Sequence, residues 1–345
     1  MNERVLIILI FLMLLEPVGL RARDMSDVFV PLNEISESDD IDVFNFVHFY
    51  ADNGLNSNSV KTICLDKDGR LWLGTDDGVY SFDGYSFTKY LPERNNPKSI
   101  YGKDVRSLRF LDDNHIIIAL ADGGISIYDE RTGEFKTGTQ SAIESYVEGN
   151  PYPNDLEYQT SYGLSACEND NIYIAFEDFI VHRNERTGVA QRIPLSNHRK
   201  YSGVVTDKVE IEPFKGNDSL VCIMLGKESF DILNNRYGSI KETRFSRRAS
   251  EYINDICAID NHRCYIATSK GLYLYDVWAK RIRLQPIPGV RNVHCIIKDN
   301  DEGYWLMYDN SEILNWNPID KSYRRLNKPT DVLGKHMYVN DMLED

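Results

Sequence analysis

The sequence predicts an all-β fold built from short four-stranded sheets that repeat along the chain, and two observations lead to this prediction. First, residues 58–87 contain four short runs of alternating apolar residues separated by Gly and Asp, which is typical of strands joined by hairpins. Second, this pattern recurs along the chain at intervals of 40 to 56 residues. A lone sheet of this size is marginally stable in water, so each copy needs its neighbours to pack against.

Each copy is recognised by the residue at the centre of its second apolar run, which is Trp72 in the first copy. The counterparts in the later copies are Ile117, Tyr173, Val221, Tyr265 and Trp305. Repeats of about 40 to 50 residues with four strands each are typical of β-propeller blades. The sequence therefore predicts a β-propeller of four-stranded blades.

An apolar residue that opens the first strand precedes each of these central residues. The openers are Val60, Val105, Leu164, Val209, Ile256 and Val293. Four of them lie twelve residues upstream of the central residue, whereas Leu164 and Ile256 lie nine upstream. This difference predicts a shorter first hairpin in the third and fifth copies. In the fifth copy, a two-residue turn at Asn261 and His262 would place Cys257 opposite Ile266.

The first 43 residues differ from the rest. Residues 1–23 are predicted to be a signal peptide or signal anchor, because an apolar run at 5–15 follows Arg4 and is too short for an ordinary membrane span. A buried first strand is the alternative for this run. Residues 24–43 form a polar, acidic lead-in.

Residues 44–345 are predicted to form the propeller, with six complete blades and a split, incomplete seventh. Residues 44–50 resemble the outer strand of a blade, and residues 339–345 align with the opening strand at 60–66. Placing both in one blade would close the ring and protect an exposed strand edge. The two middle strands of that blade are missing, so we expect the chain to be the front portion of a longer polypeptide or a truncated gene product.

The charge and cysteine content restrict the classes of partner. The formal net charge of −14 argues against nucleic acid and anionic membranes, because phosphate binding needs a basic surface. We expect membrane contact only through an uncleaved signal or through parts that follow this chain. The six cysteines fall in separate predicted strands, which favours buried thiols over disulfides.

No motif for catalysis, for a metal or for a cofactor is found. A zinc-binding His-Glu-x-x-His, a Gly-x-Ser-x-Gly elbow and a phosphate-binding Gly loop are all absent from the sequence. Asp66, Asp68 and Gly69 resemble the start of a calcium loop, but the remaining oxygen ligands are missing, so we predict a hairpin turn. We therefore predict no catalytic residue, no metal site and no cofactor.

Two sets of residues are candidates for ligand binding. In a propeller, the loops before the innermost strands gather at one mouth together with the loops between the middle strands. Polar residues just before the predicted openers would surround that mouth, or else cap the strand ends; they are Asn58, Lys103, Asp207, Asn254 and Arg291. The longest insertion, residues 138–160, carries three tyrosines that suit stacking on a sugar, although it could be a variable surface loop; they are Tyr146, Tyr152 and Tyr158.

Residues 60–87 read Val-x-x-Ile-x-x-Asp-x-Asp-Gly-Arg-Leu-Trp-Leu-Gly-Thr-x-x-Gly-Val-x-x-Phe-Asp-Gly-x-x-Phe. This segment closely resembles the two-component regulator propeller repeat. The sixth copy keeps Val293, Asp299, Gly303 and Trp305 of this pattern. The resemblance implies the periplasmic sensor region of a Bacteroidetes hybrid two-component system. In such sensors, two seven-bladed propellers precede an immunoglobulin-like domain, a membrane helix, a histidine kinase, a receiver and an AraC-type DNA-binding domain.

The resemblance also implies a function. Such sensors respond to breakdown products of polysaccharides, so we expect a periplasmic sensing module that binds an oligosaccharide, forms a homodimer and is not itself an enzyme. One alternative is a propeller glycoside hydrolase or lyase, which would need a carboxylate pair or a histidine site at the mouth. Another is a propeller that only docks proteins.

Overall fold

The computed structural model describes most of the predicted propeller. The described part of the chain consists of residues 6–11, 49, 54–57, 59–121, 124–137, 161–168, 171–176, 179–184, 190–194, 209–217, 220–225, 229–234, 239–244, 251–300, 303–309, 312–326 and 338–344. Within these residues, 26 β-strands are present and no helix. No helix of this part is long and apolar enough to cross a membrane.

Twenty-four of the strands form six antiparallel four-stranded sheets, each made of consecutive strands, within the described residues. Blade 1 contains β2 (Val60–Leu65), β3 (Leu71–Thr75), β4 (Gly78–Phe82) and β5 (Phe87–Tyr90). Blade 2 contains β6 (Val105–Asp112), β7 (His115–Leu120), β8 (Gly124–Asp129) and β9 (Glu134–Thr137). Blade 3 contains β10 (Ser161–Glu168), β11 (Asn171–Phe176), β12 (Phe179–Asn184) and β13 (Ala190–Pro194).

The other three blades follow the same order along the chain. Blade 4 contains β14 (Val209–Pro213), β15 (Leu220–Leu225), β16 (Ser229–Asn234) and β17 (Ser239–Arg244). Blade 5 contains β18 (Ile253–Ala258), β19 (Arg263–Thr268), β20 (Gly271–Asp276) and β21 (Arg281–Gln285). Blade 6 contains β22 (Val293–Lys298), β23 (Tyr304–Tyr308), β24 (Glu312–Trp316) and β25 (Tyr323–Arg325).

The first strands of successive blades lie side by side around the centre of the molecule. Each of β2, β6, β10, β14, β18 and β22 contacts the next, and β26 (Tyr338–Glu344) contacts both β22 and β2. The last described strand therefore lies between blade 6 and blade 1. This arrangement confirms the predicted all-β propeller of four-stranded blades.

The sheet that contains β26 differs from the prediction. β26 pairs antiparallel with β1 (Leu6–Phe11), which lies inside the predicted signal segment. Residues 44–50, the expected outer strand, lie outside the described part of the chain except for Phe49. The ring of Phe49 packs edge-on against Phe82 and Phe87 of blade 1, at centroid distances of 4.8 Å and 5.3 Å. Because cleavage of a signal would remove β1 from the mature chain, export remains a prediction.

Apolar side chains fill the space between neighbouring blades. Between blades 1 and 2, Trp72 and Val79 pack with Val105 and Ile118, and all four are buried. Gly74 permits this close approach, because a Cβ atom there would lie 2.5 Å from Cγ1 of Val105. The apolar faces of blades 1 and 2 therefore cover each other, and burial of this kind is a main source of stability in such a ring.

A β-bulge occurs near the start of the first strand in five blades of the described chain. The shifts in register lie between Val60 and Thr62, Val105 and Ser107, Ser161 and Gly163, Ile253 and Asp255, and Val293 and Cys295. The first strands of blades 3 and 5 consequently open at Ser161 and Ile253, twelve residues before their central residues. The prediction of two shorter hairpins was wrong. The bulge adds one residue to the strand, so Leu164 and Ile256 lie three positions after the true first residues of their strands. Each of them therefore resembles the residue that opens the strand.

The same effect corrects the register around Cys257. In blade 5, Cys257 lies opposite Tyr265, and Ile256 lies opposite Ile266. The connecting loop is also longer than the predicted two-residue turn, because the amide of Ile259 donates to the carbonyl of Arg263 at 2.9 Å. The five cysteines with described side chains are buried free thiols, which confirms that prediction for Cys64, Cys222, Cys257, Cys264 and Cys295; the side chain of Cys167 lies outside the description.

The aspartate of the first hairpin holds a turn together. One carboxylate oxygen of Asp66 accepts the amide hydrogens of Asp68 and Arg70, at 2.9 Å and 2.7 Å. The other accepts the Nε1–H of Trp72 at 3.1 Å. The prediction of a hairpin turn is confirmed, and in blade 1 a single carboxylate links this turn to the buried ring of Trp72.

Candidate functional site at the mouth of the ring

One end of the ring gathers two kinds of loop. In blades 1, 2, 5 and 6, the residue after the second strand donates its amide hydrogen to the carbonyl of the residue before the first strand. The pairs are Asp76 to Ser59, Ala121 to Asp104, Ser269 to Tyr252 and Asp309 to Asn292, at 2.8 to 3.2 Å. These bonds bring the loop before the first strand beside the turn between the second and third strands, as the sequence predicted. We call this end the mouth.

The bulges place one additional residue of each first strand at the mouth. These residues are Lys61, Arg106, Tyr162, Asn254 and His294. A bulge leaves its extra residue out of the regular pairing and changes the direction of its side chain. Because the five first strands surround the same centre, the bulges form a ring of polar positions around the mouth, which we call the bulge ring.

Two members of the bulge ring bind the neighbouring blade. The Nζ of Lys61 in blade 1 forms an ion pair with Asp104, the residue before the first strand of blade 2. The Nδ2 of Asn254 in blade 5 donates to the carbonyl of Val293 in blade 6 at 2.8 Å. Both side chains therefore extend in the same direction around the ring and join successive blades at their inner edge.

His294 binds within its own blade. Its Nε2 lies 2.9 Å from the carbonyl oxygen of Asp309 and 3.0 Å from the side-chain amide of Asn292. Because a carbonyl only accepts, the Nε2 carries the hydrogen in this contact. The blade 6 part of the mouth therefore includes imidazole and amide groups.

The blade 1 part of the mouth carries a group of charges. Asp77 contacts Lys89 at 2.6 Å and Lys103 at 3.5 Å. The hydrogen bond from Lys89 lowers the pKa of Asp77, so this carboxylate stays ionised in moderately acidic solution. Ser57 donates its hydroxyl hydrogen to Asp76 at 2.7 Å. Ion pairs and hydrogen bonds thus occupy most of the charged groups there.

Arg106 is different from these paired groups. Its Nε–H is shielded from solvent and has no hydrogen-bond partner within the described part of the chain. Arg109, in the same strand, instead donates to Thr62 Oγ1 at 3.0 Å and to the carbonyl of Leu108 at 2.8 Å. Of the two arginines of β6, Arg106 is therefore the one with a buried Nε–H that lacks an acceptor among the described residues.

The predicted site residues are only partly brought together. Lys103 and Arg291 are exposed beside the mouth, two positions before their first strands, whereas Asn254 lies inside β18 at the bulge. Sequence reasoning missed Lys61, Arg106 and His294. The three-residue spacing between apolar positions in the first strands was the available signal, because a regular strand alternates with a period of two. The other candidates lie outside the described residues: Asn58, Asp207, Tyr146, Tyr152 and Tyr158.

A pocket elsewhere on the molecule does not belong to this site. It has a volume of about 430 Å³ and lies beside the outer strand of blade 2, near Asp129 and Phe135. An exposed ion pair between Lys98 and Glu134, 2.7 Å long, crosses this region. Within the described chain, no cluster of His, Cys, Asp and Glu could hold a metal ion.

A buried histidine in blade 3 gives a prediction about pH. His182 stacks on Tyr173 and its Nε2 lies 2.8 Å from Oδ1 of Asn171, so the neutral ring donates there. Burial lowers the pKa of His182 to about 4, below the value of roughly 6.5 in an unfolded chain. The unfolded chain therefore takes up this proton first. The stabilisation is fully present above about pH 6.5 and is lost as the pH falls towards 4.

We expect His182→Gln to abolish a pH-dependent loss of stability of about 2 kcal/mol between pH 6.5 and 4. Urea unfolding of both proteins across this range would measure it. His262→Gln is the matched control, because His262 lies in an exposed hairpin beside Asp260. If His182→Gln loses as much stability between pH 6.5 and 4 as the wild type does, the assignment of this loss to His182 is wrong.

Comparison with known proteins agrees with this architecture. The family described as "Two component regulator propeller" matches residues 54–77. A histidine kinase from Formosa agariphila is 47% identical over 55 residues, which are 16% of this chain and 4% of that protein. This chain thus matches a small part of the length of that curated relative.

Solved structures share the fold at low sequence identity. The extracellular domain of a hybrid two component system from B. thetaiotaomicron superposes with a TM-score of 0.62 at 19% identity, over 82% of this chain and 36% of that one. Virginiamycin B lyase from Staphylococcus aureus gives 0.57 at 13% identity, over 81% and 87%. The chain carries a two-component regulator propeller repeat within a β-propeller similar to the extracellular domains of hybrid two-component systems.

Proposed function

We propose that this chain is the exported, ligand-sensing propeller of a hybrid two-component sensor, and that its ligand is an oligosaccharide. One observation carries the proposal: the segment that matches the regulator repeat, residues 54–77, also builds part of the mouth. It contains the bulge residue Lys61 as well as Asp76 and Asp77 of the adjoining turn. The repeat that relates the chain to signalling proteins is therefore the repeat that contributes polar groups to the candidate site.

The polar groups of the mouth favour a sugar. Lysine, asparagine, histidine and carboxylate side chains there provide donors and acceptors of the kind that hydroxyl groups bind. The insertion at 138–160 leads directly to the first strand of blade 3, and its sequence carries Tyr146, Tyr152 and Tyr158 as candidates for stacking on pyranose faces.

Ring closure supports a sensing role. We propose that β26 belongs to a seventh blade, because β26 contacts both β22 and β2, and because Leu343 and Phe49 pack against the same apolar cluster of blade 1. A ligand that binds one arrangement of the blade more tightly shifts the population towards it, and such a shift or a change in homodimer packing would transmit the signal.

The proposal is tested by binding of the purified 345-residue chain to an array of neutral and acidic oligosaccharides, followed by calorimetry on any hit. We expect saturable binding that is weakened at least tenfold when Asn254 and His294 are replaced by alanine. The matched control replaces Asn261 and His262, at the opposite end of blade 5, and should bind normally. Binding to proteins but to no glycan would instead favour a docking propeller.

An enzyme remains the second candidate, because the fold is shared with a lyase. The likeness concerns the fold alone at 13% identity. Chromatography of a bound glycan after prolonged incubation separates the candidates: we expect it to be recovered intact. Appearance of shortened or unsaturated products would favour a hydrolase or lyase.

A further inference from the structure

We propose that Arg106 makes the mouth a receptor for an acidic sugar, in which a carboxylate or sulfate group of the oligosaccharide binds the guanidinium. This inference rests on the proposed function and specifies the class of ligand. It also runs against the overall charge of the chain, because a protein with a net charge of −14 does not attract anions in general. The case therefore depends on local structure.

The position of Arg106 is fixed by its neighbours. The bulge lies between Val105 and Ser107, which are both buried, while Arg106 itself is partly exposed. The backbone at the bulge is thus held by the core on both sides, next to the loops that form the mouth. A rigid support of this kind preorganises a binding group, which lowers the entropy lost on binding.

Among the described residues, the charged groups near Arg106 are paired with one another. At this end of blades 1 and 2, Lys61 is paired with Asp104, and Lys89 and Lys103 both contact Asp77. Arg106 makes no hydrogen bond or ion pair with any residue described, and its Nε–H is shielded from water. An ionised group that is partly buried without an acceptor is unfavourable, and an anion that accepted its hydrogen bonds would offset this cost.

The chemistry of guanidinium selects the ligand. Its planar fork donates two parallel hydrogen bonds to a carboxylate or a sulfate, and such charged bonds are stronger than neutral ones. The negative field of the whole chain repels long polyanions, so we expect a short oligosaccharide with one or two acidic groups. The amide and imidazole groups of Asn254 and His294 elsewhere on the bulge ring would then bind hydroxyl groups.

The test uses pairs of probes that differ only in charge. The probes are a galacturonic acid disaccharide with its methyl ester and a sulfated disaccharide with its desulfated form, each titrated calorimetrically into the full chain. We expect at least one acidic form to bind about 10- to 100-fold more tightly than its neutral partner. Arg106→Gln should remove this preference, and Arg106→Lys should restore part of it. Arg263→Gln, at the opposite end of the ring, should leave it unchanged.

The outcomes distinguish the inference from the proposed function. If the neutral and acidic forms of each probe bind equally tightly to the wild type and to Arg106→Gln, the proposal of an acidic ligand is wrong, while the proposal of oligosaccharide sensing is unaffected. If no glycan binds, both are overturned. If inorganic sulfate alone binds as tightly as the sulfated disaccharide, the site takes a free anion and not a sugar.

Thermal unfolding provides a further readout, since Arg106→Gln should leave Tm unchanged or raise it. A lower Tm together with unchanged binding would show that Arg106 only packs the ring.

Discussion

Replacing Trp72 with alanine is expected to lower the free energy of unfolding by about 4 kcal/mol. The side chain is completely buried between blades 1 and 2. Its ring stacks on Tyr90 with a centroid distance of 5.4 Å and contacts Tyr128 at 5.1 Å. Alanine would leave a large cavity at this interface and would also remove the donor to the carboxylate of Asp66, which is 3.1 Å away. Urea unfolding followed by circular dichroism measures the change.

Trp278→Ala is the matched control for this substitution. Trp278 is 62% exposed and stacks on His262 at 3.9 Å on the outside of blade 5. Little water-excluded area is lost there, so we expect a change below about 1 kcal/mol. Equal effects of the two substitutions would contradict the assignment of Trp72 to the inter-blade core.

The second large effect is expected for Asp255→Ala, which should lower the free energy of unfolding by about 3 kcal/mol. One oxygen of this buried carboxylate accepts the amide hydrogen of Ile256, and the other accepts that of Ile296, both at 2.8 Å. Because Ile296 belongs to blade 6, the carboxylate joins the inner strands of two blades. Alanine would leave both buried amides without an acceptor, which is more unfavourable than the loss of an exposed bond.

Two variants show whether the inter-blade bond is responsible. Asp255→Asn keeps one acceptor oxygen, so it should lower the free energy of unfolding by only about half as much as Asp255→Ala does. Asp320→Ala removes a carboxylate that also accepts a backbone amide, from Ser322 at 2.8 Å, but in an exposed loop. We expect that change to have little effect on the free energy of unfolding, because the group is exposed to solvent. Urea denaturation measures all three, and a similar loss in Asp255→Ala and Asp320→Ala would exclude a special role for the blade 5 carboxylate.

The pattern of apolar residues in the sequence was sufficient to predict the blades and the residues buried between them. Local alternation of apolar residues defines a strand, and the recurrence of Trp72, Tyr265 and Trp305 at the centres of second strands marked residues that the structure buries. The hydrogen bonds of the first turn are also local, because Asp66 accepts the amide hydrogens of the residues two and four positions further on. Interactions within a few residues can be predicted from the order of the residues alone.

The mouth required the tertiary structure. The bulge in β18 hid the true opener Ile253, since a shift in register is defined by the partner strand and not by the strand itself. In the other blades the bulge residues Lys61, Arg106 and His294 follow the opener, so candidates chosen from the positions before the openers did not include them.

The sequence by itself determined a ring of four-stranded blades with buried aromatic centres, because strand periodicity and hairpin turns depend on neighbouring residues. Only the tertiary structure decided which polar side chains meet at the mouth and which is left without a partner. Lys61 and Asp104 lie 43 positions apart in the chain, and Asp255 and Ile296 lie 41 apart. Contacts between blades depend on how successive sheets pack around the centre, and no local pattern specifies that packing.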